Sequence, residues 1–179
     1  MGTRNLTMVI NKGEVKVAQY GQFDGYPSWQ GKVALEFIKS CNLDKFKEKL
    51  KGVSFIKPEE IEQYESLPEF KNNIAAEILQ MIYEGRASHL YDSRDFAKDS
   101  LFCEWTYVID LDKELFEIYR GFNKEPLSNQ DRFYNDGYKN EGFYPVKLIK
   151  FYPLKNLPKV AQFIEDLSPD KLMGLGLFK

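Results

Sequence analysis

Near the start of the chain, residues 19–30 include Gln19, Tyr20, Gln22, Asp24, Tyr26, Trp29 and Gln30. The amides supply neutral donors and acceptors, Tyr and Trp supply flat apolar faces, and Asp24 supplies one carboxylate. Pockets for small polar or ring-containing ligands are built from this mixture. Arg4 and Asn5, on the preceding strand, are placed to close one side, and the Arg4 guanidinium can grip an anion through two parallel hydrogen bonds. In the competing account the rings pack beneath the segment and Asp24-Gly25 only turns the chain. The expected ligand-binding set is Arg4, Asn5, Gln19, Tyr20, Gln22, Asp24, Tyr26 and Trp29.

Acid–base chemistry has two weak candidates, Asp24 and Glu104. Glu104 falls on the less apolar face of the strand-like stretch LFCEWTYVIDLD. If both faces of the sheet are covered, its carboxylate needs a partner, and Arg4 is the expected one. Such a pair can carry a proton or simply tie two strands together. Asp24 is the nearest second acid for a pair of glycosidase type.

Other chemistries lack parts. His89 is the only histidine, so any Ser-His-Asp or Cys-His device must use it. Cys103 alternates with Trp105 and Tyr107 on the apolar face, where a thiol is inert. His89 and Asp92 alone do not make a zinc site. Asp110, Asp112 and Glu114 suggest a calcium loop, but Leu115 and Gly121 occupy the places of its glycine and final glutamate, so a solvated turn is expected. Removal of Met1 would expose Gly2, which has no nucleophile for an N-terminal hydrolase. No glycine-rich phosphate loop follows a strand. Neither metal nor cofactor is expected.

Charge and length narrow the classes further. With 25 basic and 27 acidic residues, the chain has no long-range pull toward nucleic acid or anionic membrane. No apolar run approaches the ~18 residues that span a bilayer. Leu6 stands where a myristoylation pattern wants Ser or Thr, and the Asn5-Leu6-Thr7 sequon has no secretion signal before it. Two cysteines make no disulfide framework, so a reduced, cytoplasmic protein is expected. The length of 179 residues suits one domain, and 43% hydrophobic residues suffice for its core.

The elements that must hold these residues follow from periodicity. Leu6, Met8 and Ile10 alternate, Asn11-Lys12-Gly13 turns, and a strand returns over 15–20. Glycines and Pro27 mark a loop to Gly31. Helices are expected from Val33 to Cys41, over 43–50 with Asn42 as cap, and briefly at Pro58. The longest is expected from Pro68 to Gly85, with Ile74, Ile78 and Ile82 on one face. A second hairpin spans 102–122, a strand covers 146–152, and a helix ends near Leu167. The predicted fold is a single α+β domain over 1–179, with an antiparallel sheet from N- and C-terminal hairpins and helices from the middle of the chain packed on it. Between the last two strands, residues 123–144 mix Arg132, Phe133, Tyr134, Tyr138 and Phe143 with Asp131, Asp136 and Glu141. The acids oppose phosphate tracking, so a protein-binding loop is expected there, not a nucleic-acid groove.

MGTRNLT, KVAQYGQFDGYPSWQG and FCEWTYVIDLD together resemble a family of phage, bacterial and fungal proteins. Its members share an MGTR(N/H)L start, a VAQYGQ(W/F)DGYP segment and a tryptophan-containing YVIDLD strand. The family carries no assigned activity, so the resemblance implies only a stand-alone protein of the phage-encoded kind. Phe23 stands where tryptophan is commoner in that family. The residues themselves lead to a small-molecule-binding domain, nucleotide-like or sugar-like in ligand, with or without a hydrolytic step. The alternative is an interaction protein that inhibits or sequesters a host factor without catalysis. The oligomeric state stays open.

Overall fold

The computed structural model describes residues 2–71 and 73–174. Strands β1 (Asn5–Asn11) and β2 (Glu14–Gly21) form the first hairpin. Its turn places Lys12 at φ 57° and Gly13 at φ 74°, the left-handed pair that a two-residue hairpin turn requires. After β2 come α1 (Lys32–Ser40), α2 (Leu43–Leu50), the short strand β3 (Ser54–Phe55), α3 (Ile61–Tyr64), α4 (Ile78–Glu84) and the short strand β4 (His89–Leu90). The chain then returns to the sheet as β5 (Trp105–Asp110), β6 (Leu115–Arg120) and β7 (Lys147–Pro153), and continues into α5 (Val160–Asp166) and α6 (Pro169–Gly174).

The five-stranded sheet has the order β2-β1-β5-β6-β7, and β3 and β4 pair separately in parallel. The expected α+β fold is present, with one correction. The two hairpins meet through β1 and β5, and that pair is parallel, from Asn5↔Trp105 to Ile10↔Asp110. Parallel neighbours need a long crossover, and residues 22–104 supply it. The starts of β1 and β5 and the ends of β2 and β6 therefore share one end of the sheet.

Both sheet faces are covered, which is why all seven residues of β1 and all six of β5 are buried. On one face, Val9, Val17, Tyr107, Ile109, Phe116 and Ile118 pack against Leu35 and Phe37 of α1, Ile78 and Ile82 of α4, and Phe163 of α5. On the other, Leu6, Met8, Ile10, Val108 and Tyr119 lie under Ala97, Phe96 and Phe133. Asn42 caps α2 as expected, its Oδ1 accepting from the Lys45 N–H at 2.9 Å.

The long helix expected from Pro68 is broken. Single turns at Pro68–Phe70 and Ala75–Glu77 precede α4, and Ala75 stands at φ 43°. The Gln30 side-chain oxygen takes the Ala76 N–H at 3.1 Å, so a tertiary bond competes with helix propagation there. The expected loop after β2 is also more regular than its glycines suggest, since Pro27–Gly31 forms a wide helical turn that runs directly into α1.

Candidate functional site

The residues nominated from sequence divide into those that build the 19–31 segment and those that face outward. Asn5 is fully buried, and its Nδ2 donates to the carbonyls of Gly21 (3.2 Å) and Phe23 (3.3 Å). Gln19 is buried too, its Nε2 donating to the Glu69 carbonyl at 3.3 Å. The Tyr20 hydroxyl donates to Gln22 Oε1 at 2.8 Å, and its ring meets the edge of Phe96. The Gly25 N–H donates to the Thr3 carbonyl at 2.9 Å, and the buried Tyr107 hydroxyl donates to the Gly25 carbonyl at 2.7 Å. The Asn5 and Gln19 amide nitrogens are thus committed to the backbone, while Asn5 Oδ1 is buried without a hydrogen-bond partner among the described residues. The segment is bolted to the sheet end.

Asp24 is exposed at φ 56°, and its carbonyl accepts from the Gln30 N–H at 3.2 Å. No hydrogen bond among the described residues joins its carboxylate to that of Glu104. Arg4 does not pair with Glu104 either. Its guanidinium lies 4.4 Å from the Phe102 ring centre, while its carbonyl accepts from the Glu104 N–H at 3.1 Å. The partner of Glu104 is Arg120, with Arg120 Nη1 at 4.0 Å from Glu104 Oε2 and donating to the Glu104 carbonyl at 2.6 Å. Arg120 lies directly across from Trp105 in the antiparallel β5–β6 ladder, next to Glu104 in the chain.

Beside this pair the segment does wall a cleft, of about 290 Å³. Tyr26, Pro27 and Ser28 form one side; Ile164, Leu167, Ser168, Pro169 and Leu172, from α5, α6 and their junction, form the other. Trp105 and Arg120 complete it from the sheet. The Arg120 guanidinium sits between two rings, 4.7 Å from the Trp105 centre and 5.1 Å from that of Phe122. Burial pulls this guanidinium below its ordinary value and the charge of Glu104 opposes that pull, yet an arginine remains charged at neutral pH. The Trp105 indole stacks parallel to the Tyr107 ring at 6.4 Å. Its Nε1–H is shut off from solvent and finds no acceptor among the described residues. Leaving such a donor unmet costs about 1–3 kcal/mol.

Of the nominated set only Tyr26 lines this cleft; Arg4, Asn5, Gln19, Tyr20, Gln22, Asp24 and Trp29 do not. Trp105, Arg120 and the lining residues of α5 and α6 were not nominated, although the helix ending near Leu167 was expected. A visible hint was Trp105, a large aromatic face on a core strand.

The opposite face holds a polar cluster under a second cleft lined by Met8, Ile10 and Phe133. Arg132 Nη2 donates to Asp110 Oδ2 (2.6 Å) and Glu117 Oε1 (2.9 Å), and its Nε donates to Glu117 Oε2 (2.8 Å). The Tyr119 hydroxyl donates to the same Glu117 oxygen at 2.8 Å. Asp110 is therefore not part of a solvated turn: it is 2% exposed. Burial pushes its carboxyl up, but the N–H groups of Lys113 and Asp112 and the Arg132 guanidinium outweigh that and hold it below the usual range. Asp112 is the exposed member, accepting from the N–H groups of Lys12 and Gly13 at 2.7 and 2.8 Å and so joining the two hairpin turns. Arg132, expected in a partner-binding loop, instead anchors that loop.

The remaining nucleophile and base candidates lie outside both clefts. His89 stacks on Tyr64 at 4.7 Å and bonds Ser88 Oγ at 3.0 Å. Burial pushes the Cys103 thiol up to about 12, leaving it protonated beside Thr106. Among the described residues, no three His, Cys, Asp or Glu side chains gather as metal ligands would, and no helix is long and apolar enough to cross a membrane. No family model, curated protein or solved structure matches the chain.

Proposed function

We propose that this α+β chain binds a small molecule in the cleft between residues 26–28, the Trp105–Arg120 pair and the α5–α6 junction. The observation that carries this reading is the cleft lining itself, where Tyr26, Trp105 and the Arg120 guanidinium meet the apolar residues Pro27, Ile164, Leu167 and Leu172. Concave, mostly apolar clefts with a few polar groups are where small ligands bind. Tyr26, half-exposed at the mouth, offers a ring face, and Ser28 and Ser168 offer hydroxyls on opposite rims. The lining supplies donors and flat surfaces but no nucleophile held by a base, so the reading is binding without hydrolysis. Nucleotide-like and sugar-like ligands are the classes to test first.

Native mass spectrometry of the full chain after exposure to a metabolite extract tests this. A stoichiometric adduct is expected, absent from Ser28→Phe, which fills the mouth from an exposed position. An adduct untouched by that variant would place the ligand elsewhere.

A second reading has its own support. Phe23, Trp29, Phe102 and Phe122 are 49%, 63%, 38% and 43% exposed, and exposed aromatics near a sheet end favour a protein partner, such as a host factor to be sequestered. A clean apo mass in the extract experiment would transfer the function to that surface.

A further inference from the structure

We infer that residues 123–144 form a lid that opens from the sheet as one piece, with the Arg132 guanidinium as its latch and the second cleft as the space it gates. Segments of this length without regular structure are uncommon in compact domains, and where they occur they are generally functional or mobile. From 124 to 144 no residue is buried, whereas Asn123 before the segment and Pro145 and Val146 after it are. A segment that buries so little opens at lower cost than the fold as a whole.

The two ends are closed on each other. The Tyr144 N–H donates to the Asn123 carbonyl at 2.8 Å, and Asn123 Nδ2 donates to the Pro145 carbonyl at 2.9 Å. Asn123 is held in turn by Ser100 Oγ, which accepts its N–H at 3.1 Å. The middle can therefore swing while the ends stay in place. Hydrogen bonds within the segment are local. The N–H groups of Asp131, Tyr134 and Tyr138 reach back to the carbonyls of Ser128, Asp131 and Asn135 at 3.0, 3.0 and 2.7 Å, and Asn140 and Phe143 exchange a pair at 2.8 Å. Chain bonded to itself in this way moves as a unit. Near the base, Asn140 Nδ2 donates to Asp99 Oδ1 at 3.2 Å and Lys147 pairs with Glu125.

Two consecutive side chains hold the middle. Arg132 grips Asp110 and Glu117, and the Phe133 ring packs edge to face with that of Tyr119 at 4.8 Å. The same two residues line the second cleft, of about 430 Å³, together with Met8, Ile10 and Val15 of the first hairpin. Latch and cleft wall are thus one, so releasing the first widens the second. With the lid closed, Met8 is only 3% exposed. The guanidinium makes closure conditional: without it, a closed lid would bury two carboxylates that have lost their cation, and that favours the open state.

Hydrogen exchange on the full chain, in urea below the unfolding transition, tests the lid. The amides of Asp131, Tyr134, Tyr138 and Phe143 are expected to exchange through one shared opening, easier and less dependent on urea than that of β5 and β6. In Arg132→Leu these four amides should lose their protection while β5 and β6 keep theirs. Hydrogen peroxide should then oxidise Met8 at least about tenfold faster relative to Met81, which is buried on the other face of the sheet. If that variant does not fold, the exchange pattern of the native chain decides alone. Exchange of the four amides only together with β5 and β6 would merge the segment with the global fold and overturn the lid. Four amides equally protected in Arg132→Leu would overturn the latch, and a Met8 rate still tied to that of Met81 would overturn the gate.

Discussion

Arg132 and Trp105 resolve their buried polar atoms in opposite ways. Arg132 satisfies Asp110 and Glu117 at once, from a loop whose composition suggested an outward-facing surface. Removing it leaves two buried carboxylates without their cation, so Arg132→Met should cost about 3–5 kcal/mol, the usual range for breaking a buried pair from one side. Urea unfolding measures this directly, and an unchanged midpoint would show the cluster to be dispensable. The same cluster sets an acid limb. Asp110 titrates below its unfolded value of about 3.9, so its contribution is present above that pH and is lost as pH falls through the lower folded value. Stability should drop below about pH 4, and Asp110→Asn should flatten that drop while lowering stability at pH 7. Trp105 leaves its donor unmet at an atom closed to solvent, so the cleft beside it is a binding candidate by its shape and lining.

At the scale of elements, the 19–31 segment owes its shape to contacts with the sheet and little to its own propensity. A Cβ on Gly31 would come within 2.7 Å of the Tyr107 ring, and one on Gly25 within 2.7 Å of the Thr3 carbonyl. Tyr107 cannot yield easily, being fully buried and bonded through its hydroxyl to the Gly25 carbonyl. Gly31→Ala should therefore destabilise by about 1–3 kcal/mol, as overpacking does, and a thermal melt would show it. A melt equal to that of the native chain would mean that the wide turn at Pro27–Gly31 shifts freely, and then Tyr26 and Ser28 could not hold one wall of the cleft.

For the whole molecule, the outer wall of the cleft depends on how α5 and α6 meet the sheet. Phe163 is fully buried, with its ring 5.9 Å from those of both Phe116 and Tyr152, so it pins α5 across β6 and β7. Phe163→Ala should cost about 3–5 kcal/mol and also weaken ligand binding, because Ile164 and Leu167 line the cleft from the same helix region. A loss of stability with full affinity retained would separate the helix from the site. The parallel β1–β5 pair matters at the same scale. It brings Arg4, Glu104, Arg120 and residues 21–28 to one end of the sheet, where an antiparallel pairing would have put Arg4 and Glu104 at opposite ends.

Local pattern was enough for much of the fold. Alternation marks a strand wherever it lies, so β1, β2, β5, β6 and β7 were legible, as were the Lys12-Gly13 turn and the Asn42 cap. Sheet membership at both chain ends, with helices between, followed from them. The direction of the β1–β5 pair was not legible, since a strand's own residues do not record which way a distant neighbour runs. The break before α4 was hidden for a related reason: the bond that competes there comes from Gln30, 46 positions earlier. Of the residues that line the candidate cleft, only Tyr26 was legible. Composition shows which side chains can bind a ligand, but only packing shows which groups are already spent, and it spent the Asn5 and Gln19 amide nitrogens on the backbone and Arg132 on buried carboxylates. The other residues of the candidate cleft, Trp105, Arg120 and those of α5 and α6, meet Tyr26 and Ser28 only because the two helices fold back over that end of the sheet.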